Sequence, residues 1–256
     1  MTQSDHFGFV RFAMTSNGKG YLKRITIEGA AIVASILLAF AIDAWWDDRR
    51  DRIDERSYLA SLRQELTESI EVANQSIESR VVAIAAHESL VAQIQGAPRA
   101  SIGDLYLWIS SVSLPIQYIP PRSAFNDTVA SGGVLLIQSD NLRLALAEFD
   151  QGLRHLQRID SASWAVWEER LQPLLEGRIP RVERLRQGLR AKWTDDVPFG
   201  NSPHAADFDG VLADPRFEDM LAERWLRLQN GLDGIERLSK HAEYLVRLID
   251  IELQSK

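Results

Sequence analysis

The feature that most constrains this chain is an apolar segment near its start, residues 25–46, which reads ITIEGAAIVASILLAFAIDAWW. Only Glu28 and Asp43 carry charge within it. As a helix the segment is about 33 Å long, enough to cross the hydrocarbon core of a bilayer and enter both interfaces. Two basic residues precede it, and two tryptophans, which favour the headgroup region, end it. The segment therefore predicts one transmembrane helix.

A buried helix of a soluble protein and a cleaved signal peptide are the alternative interpretations of this segment. A buried soluble helix rarely has basic residues at one end and interfacial tryptophans at the other. A signal peptide has a shorter apolar core and a cleavage site of small residues, whereas Asp43, Ala44 and the tryptophan pair follow here. We therefore expect an uncleaved single span.

The orientation of the span depends on the charges at its two ends. Five acids dilute the basic charge after the span, although acids count for little in the positive-inside rule. This favours an N-terminus inside, so we predict a single-pass protein of the bacterial inner membrane with its C-terminal domain in the periplasm. The basic residues themselves are tied, with Arg11, Lys19, Lys23 and Arg24 before the span and Arg49, Arg50, Arg52 and Arg56 after it.

The composition limits the chemistry that the chain can carry. Its net charge is −7 and its pI is about 5.3, which argues against binding a phosphate backbone, so no nucleic-acid partner is predicted. The chain has no cysteine, which excludes disulfides, thiolate zinc sites, iron–sulfur clusters and a cysteine nucleophile. No cofactor is predicted.

An apolar stripe after the span predicts a long helix in water. Its members recur at spacings of 3, 4 and 4 residues, a pattern that keeps the stripe nearly parallel to the helix axis. The helix is predicted to run from the membrane to about Gln95 and to end at residues 96–98. Its apolar face must be covered by other helices or by a second copy of the chain. The stripe consists of Leu59, Leu62, Leu66, Ile70, Ala73, Ile77, Val81 and Ile84.

Local signals predict further helices between residue 101 and the C-terminus. Ser101 is a candidate N-cap, either Ser139 or Asp140 is the candidate N-cap of the next long helix, and Pro215 stands at the first turn of the last helix. Residues 115–121 are rich in proline and predict an extended connector, whereas residues 194–213, rich in Asp, Gly and Pro, predict a loop. No alternating strand pattern with hairpin turns is present.

The predicted fold class is therefore all-α, in four consecutive parts. An N-terminal tail (1–24) precedes the transmembrane helix (25–46), which continues into a long amphipathic juxtamembrane helix (47–95). The remaining residues (96–256) are predicted to form a helical bundle domain that packs with this juxtamembrane helix.

Three blocks of the sequence carry a resemblance to known proteins. They are SILLAFAIDAWWDDRRDRIDERSYLASLRQEL (35–66), with Glu28 ahead of it, SAFNDTVASGGVLLIQSDNLRLALAEFD (123–150), and the last helix from Pro215 through LIDIEL. In these blocks the chain resembles a family of uncharacterised bacterial single-span membrane proteins with a helical C-terminal domain. The family more often has Asn-x-Trp where this chain has Asp43-Ala44-Trp45. The resemblance implies a membrane-anchored helical protein and brings no activity, cofactor or catalytic residue.

The polar residues carry no signature of a reaction. No two of the five histidines have the HxxxH or HExxH spacing of a metal site on one helix. His87 lies near the apolar stripe, and we interpret it as a hydrogen-bonded or half-exposed histidine. The acidic loop 204–210 lacks the residue order of a calcium-binding loop and is interpreted as solvated. No nucleotide-binding or hydrolase motif is present, so we predict that the protein is not an enzyme and binds no metal.

Two groups of residues in the span are candidate functional sites. If several copies associate, Glu28 would face a shared polar interior and bind a proton or cation, with Asp43 as the second acid of this site. The alternative is that both carboxylates simply lie at the interfaces. The second group is a face of small residues that would let two helices approach closely. It consists of Ala30, Ala31, Ala34 and Ser35.

A basic segment in the second half of the chain is the third candidate site. Its helix begins near Pro180 and has Val182, Leu185 and Leu189 on its apolar side. We hypothesise that it docks on an acidic partner or on anionic lipid, and the alternative is pairing with acids of the same chain. Its basic residues are Arg178, Arg181, Arg184, Arg186, Arg190 and Lys192.

The function predicted from these features is that of a membrane-anchored helical scaffold or interaction protein. Its expected partners are membrane lipid and further copies of itself, with a separate protein partner left open. The first alternative is a ligand-responsive sensory bundle that acts through a partner. The second alternative is an ion-conducting oligomer, which depends wholly on Glu28.

Overall fold

The computed structural model describes the backbone of residues 18–188 and 200–254, with side chains from residue 27 onward except 187 and 188. No strand occurs within these ranges, and the predicted all-α fold class is confirmed. The helices are α1 (Gly18–Ile94), α2 (Ile102–Val112), α3 (Ser123–Ala130), α4 (Asp140–Val166), α5 (Gln172–Leu175), α6 (Arg181–Gly188), α7 (Phe208–Leu212) and α8 (Pro215–Gln254).

Local signals set most of the helix ends. Ser101 caps α2 by accepting a hydrogen bond from the Asp104 amide (3.1 Å), and Ser139 caps α4 in the same way. After α1, Gly96 adopts a left-handed φ of +89°, which glycine tolerates best, and the Ala97 amide reaches back to Ala92 (2.9 Å). Between α4 and α5 lies a π-helical turn, Trp167–Leu171, and Pro173 follows in the first turn of α5.

Two predictions about elements are wrong. The predicted loop 194–213 contains the short helix α7, in which Asp207 accepts from the Gly210 amide (2.9 Å) and Phe208 and Val211 are buried. In the apolar stripe of α1, Val81 is 51% exposed, because the inward position in that turn belongs to Arg80. In both places, burial against distant parts of the chain overrides the local pattern.

The chain divides into two compact units, the first ending at Asp54 and the second beginning at Glu55. In the second unit, α1 and α8 lie antiparallel, as two contacts near opposite ends of α8 indicate. The Arg63 guanidinium lies 2.5 Å from the Asp250 carboxylate, and the Trp225 indole donates to Glu88 at 3.0 Å.

The second unit has two main apolar cores with polar groups between them. The first core joins α1 (from Leu59), α4 and the C-terminal half of α8, and the second joins the end of α1 with α2, α5, α7 and the start of α8. Between the two lie a small cluster around Ile84 and Leu228, and the buried side chains of Arg80, Asp160 and Arg224.

Three buried carboxylates bind the segment between α2 and α4, residues 113–139, which includes α3 and is called the connector below. Asp160 accepts a hydrogen bond from the Tyr118 amide (3.0 Å), and Glu55 accepts one from the Gln138 amide (2.9 Å). Glu65 accepts from the first two amides of α3 that follow Ser123, at 2.6 and 3.0 Å. Each acid thus satisfies backbone donors that the connector cannot satisfy itself.

Candidate functional site

The described part of the first unit contains one helix that is long and apolar enough to cross a membrane. Its most apolar window has a mean hydropathy of 2.0, and every described side chain from residue 27 to 53 is exposed. At the end of the apolar segment, the rings of Trp45 and Trp46 pack edge to face, 5.2 Å between centroids, and the Arg49 guanidinium lies over Trp45. An aromatic pair with a basic neighbour suits the headgroup region of a bilayer.

The structure does not bring the two acids of the span together. Glu28 and Asp43 are both exposed and lie fifteen positions apart on one helix, about 22 Å along its axis. Any shared polar site would therefore have to be built from several copies of the chain. The ion-conducting hypothesis stays a prediction that depends on Glu28.

The predicted association face is exposed along its whole length. Ala30, Ala31 and Ala34 present only methyl groups, and the Ser35 hydroxyl donates to the Ala31 carbonyl at 2.8 Å. Because that hydroxyl is satisfied within its own helix, it can face lipid or a close neighbour without loss of a hydrogen bond.

Arg178, the first residue of the predicted basic site, pairs with acids of its own chain. Its guanidinium lies 3.0 Å from Asp214 and 3.4 Å from Asp207. Arg216 also binds Asp214, at 2.8 Å. Hydrogen bonds from Arg216, and then from Arg178, hold the pKa of the Asp214 carboxyl well below its usual range. The positive charge of Arg178 is therefore neutralised by acids of its own chain, as the alternative interpretation expected.

Two more members of the basic site are paired or buried. Arg186 binds the Asn201 side chain and lies 3.6 Å from Glu183. Arg184 is only 7% exposed, so it is not part of a surface that lipid could reach. The inward face of α6 thus carries Glu183 and Arg184, whereas Val182 and Leu185, expected there, are half-buried. Leu189, Arg190 and Lys192 lie outside the described residues.

Among the described residues, no carboxylate forms an ion pair with Arg184. Its Nη1 donates to the Ser113 hydroxyl at 3.3 Å, and its Nε has no hydrogen-bond partner in the described part of the chain. Burial, and then repulsion by Arg181, lower the pKa of the Arg184 guanidinium. Its backbone carbonyl accepts from the Ser110 hydroxyl (2.9 Å), which fixes α6 against α2.

A cavity of about 120 Å³ lies beside Arg184 between α2, α5 and α6. Arg181, which is exposed, stands at the cavity and donates to Gln172 at 3.3 Å. The indole of Trp167 also lines the cavity and is fixed by a hydrogen bond to the Ser113 carbonyl. The lining residues thus include two arginines and no carboxylate.

Two further buried arginines lie between the two cores, in a place where the sequence predicted no functional site. Arg80 is fully buried and binds Asp160 at 2.6 Å. Arg224 donates to the Leu114 carbonyl just beyond the end of α2, and burial lowers the pKa of its guanidinium to about 10. The sequence does carry a signal that Arg224 faces inward. It lies three residues after Leu221 and four before Leu228, both of which are buried, so all three share one face of the helix.

His87 lies next to this cationic layer. It is 1% exposed, and its Nδ1 lies 2.7 Å from the Ala83 carbonyl, to which a neutral ring can donate. Burial lowers its pKa to about 4, and the nearby positive charge of Arg224 acts in the same direction. The prediction that His87 is hydrogen-bonded agrees with this geometry, but the ring is buried rather than half-exposed. In the described ranges, no group of three or more His, Asp or Glu side chains is arranged to hold a metal ion.

In comparisons with family models, curated proteins and solved structures, nothing matches this chain. The resemblance to a family of single-span membrane proteins therefore stays a prediction.

Proposed function

We propose that this protein is a single-span membrane protein whose helical second unit serves as a non-enzymatic interaction module, and that copies associate through their spans. The observation that carries the proposal is the uninterrupted exposure of an apolar helix from residue 27 to 46. Large apolar side chains on that helix, such as Leu37 and Phe40, are more than 60% exposed. A lipid environment removes the cost of this exposure.

The buried polar groups of the second unit support a role without catalysis. Asp160, Glu65 and Glu55 are engaged with backbone amides of the connector, and Arg80 is engaged with Asp160. These bonds hold irregular backbone and helix ends in place, a structural use of ionisable groups.

For location, we propose the bacterial inner membrane with the second unit in the periplasm. A chain without cysteine is compatible with an oxidising compartment, and the acids after the span reduce the net positive charge on that side. A reporter that is active on only one side of the membrane, fused after residue 256, tests this orientation.

Self-association can be tested by disulfide crosslinking, because the natural chain has no cysteine to interfere. Ala34→Cys places a thiol on the small-residue face, and Ile36→Cys places one at nearly the same depth, about 200° around the helix. We expect oxidation in membranes to give strong dimer formation at position 34 and weak dimer formation at 36. Equal crosslinking at both positions, or none at either, would contradict association through this face.

A second variant separates helix packing from chance collision in the membrane. Ala31→Leu, added to Ala34→Cys, fills the close approach that small residues allow, and we expect the dimer yield to fall several-fold. Ile36→Ala, added to the same cysteine variant, changes a side chain about 200° around the helix from residue 34 and should leave the yield unchanged.

The second candidate function is a ligand-responsive bundle that acts through a partner. One specific observation favours it, namely the cavity beside the buried Arg184, whose cationic lining has no carboxylate. Concave sites with apolar walls and a few convergent polar groups are where small ligands bind.

A further inference from the structure

We propose that the cavity between α2, α5 and α6 binds a small organic carboxylate, held by Arg181 and Arg184, with its apolar body against Trp167 and Leu185. This inference deepens the second candidate function and rests on it, but it does not depend on association of the spans.

Within the described residues, no carboxylate pairs with the buried cation of Arg184. Two other buried or half-buried arginines of the second unit bind carboxylates of the chain, since Arg80 binds Asp160 and Arg178 binds Asp214. The buried Arg224 donates instead to a backbone carbonyl. Arg184, which lines the cavity, is 7% exposed, and its side chain donates to a neutral hydroxyl, that of Ser113. A buried charge is costly unless it is paired, so an anion from outside would complete this site.

Several hydrogen-bond donors that line the cavity are already used within the chain and cannot face a ligand. The hydroxyls of Ser110 and Ser113 already donate to backbone carbonyls, those of Arg184 and Ile109. The indole of Trp167 donates to the Ser113 carbonyl. The donors left to the cavity are the guanidinium N–H groups of the two arginines and the side-chain amide of Gln172. The planar fork of a guanidinium matches the two oxygens of a carboxylate.

The size and the wall chemistry of the cavity limit the kind of anion that it can hold. A volume of about 120 Å³ corresponds to about four water molecules, which suits a carboxylate with a short apolar body. The indole of Trp167 and the side chain of Leu185 supply an apolar wall, while Arg181 lies at the exposed side. A highly charged polyanion would leave these walls unused, whereas an aromatic or short aliphatic carboxylate would cover them.

The experiment uses the full-length protein in nanodiscs of zwitterionic lipid, titrated with benzoate by calorimetry. Benzoate has about nine non-hydrogen atoms, so at an ordinary ligand efficiency we expect a Kd of about 1 mM. Benzyl alcohol, which has a similar body and no charge, should bind at least tenfold more weakly. No detectable heat from benzoate at ten times the expected Kd would overturn the proposal.

Two variants locate the site without unfolding the protein. Arg181→Gln changes an exposed residue, and we expect it to weaken benzoate binding about tenfold, as the loss of one charge-assisted contact predicts. Leu185→Trp fills the cavity and should abolish binding. Arg158→Gln makes the same charge change on an exposed position of α4 and should have no effect. Benzoate binding that survives both cavity variants would place the site elsewhere and overturn the proposal.

A further measurement tests the carboxylate site and the ligand-responsive function separately. The dimer yield of the Ala34→Cys variant is compared with and without saturating benzoate. A changed yield supports both the site and a ligand-responsive bundle. Binding with an unchanged yield and the expected loss in Arg181→Gln supports the carboxylate site and counts against the ligand-responsive function.

Discussion

At the scale of single residues, the interior of the second unit is more cationic than an apolar bundle requires. Arg80 is balanced by Asp160, but Arg224 is met in the described part of the chain by a backbone carbonyl and no carboxylate. That carbonyl belongs to Leu114, just beyond the C-terminus of α2, where the helix dipole supplies partial negative charge. The residue opposite Arg80 is Gly231, and a Cβ there would lie 2.3 Å from the guanidinium, so the fit depends on glycine.

His87 gives this interior a measurable dependence on pH. Its folded pKa of about 4 lies below its unfolded value of about 6.5, so the folded state favours the neutral ring. Stability from His87 is therefore complete above pH 6.5 and falls as pH decreases towards 4, because only the unfolded state takes up the proton. Linkage predicts that unfolding free energy falls by about 2 kcal/mol between pH 7.5 and 5.

The test is chemical unfolding of the full-length protein at these two pH values. His87→Gln should remove most of the pH-dependent loss, even if it lowers stability at both pH values. His204→Gln changes an exposed histidine and should retain the full wild-type loss. If His87→Gln keeps the wild-type difference, protonation of His87 is not its cause.

At the scale of elements, the connector between α2 and α4 depends on side chains of the helices around it. Glu65 of α1 binds the amides of Ala124 and Phe125, which are two of the unpaired donors at the start of α3. Glu65→Gln removes the negative charge at a helix N-terminus, and we expect a loss of about 1 kcal/mol. For a domain of this size, that lowers Tm by about 3 °C in thermal unfolding followed by circular dichroism.

The matched control is Glu68→Gln, on the same helix. Glu68 is exposed and accepts a hydrogen bond from Gln64 within its own helix, so its loss should change Tm by less than about 1 °C. Limited proteolysis provides an independent readout, since cleavage within residues 115–138 should become faster in Glu65→Gln alone. Equal effects of the two variants would show that the Glu65 contacts do not stabilise α3.

The elements that sequence patterns predicted correctly are those with local causes. Caps at Ser101 and Ser139 and the proline at the start of α8 act within one turn, so their signals are complete in the sequence. The bond between Arg80 and Asp160 joins residues 80 positions apart, and no local pattern specifies it. The burial of Arg184 likewise follows no local pattern. The arginine contacts Ser113, 71 positions away in the sequence, and faces inward in place of the apolar side of α6.

At the scale of the whole molecule, the described residues that form the buried apolar cores all belong to the second unit. The earliest buried residue of these cores is Leu59, and the first buried carboxylate contact to the connector comes from Glu55. Removal of residues 1–49 therefore takes away the candidate span and its small-residue face without deleting any core side chain. We therefore expect self-association to depend on the first unit and cooperative folding to depend on the second.

A chain that begins at residue 50 should accordingly be helical and dispersed without detergent. We expect cooperative thermal unfolding with a Tm within a few degrees of that of the full-length protein, and a monomer by light scattering because the proposed association face is gone. A chain that begins at residue 67 lacks Glu55, Leu59 and Leu62 as well. Since each buried leucine contributes about 2–5 kcal/mol, this shorter chain should lose cooperative unfolding. A residue-50 chain that aggregates or stays unfolded would show that the second unit cannot fold without the span.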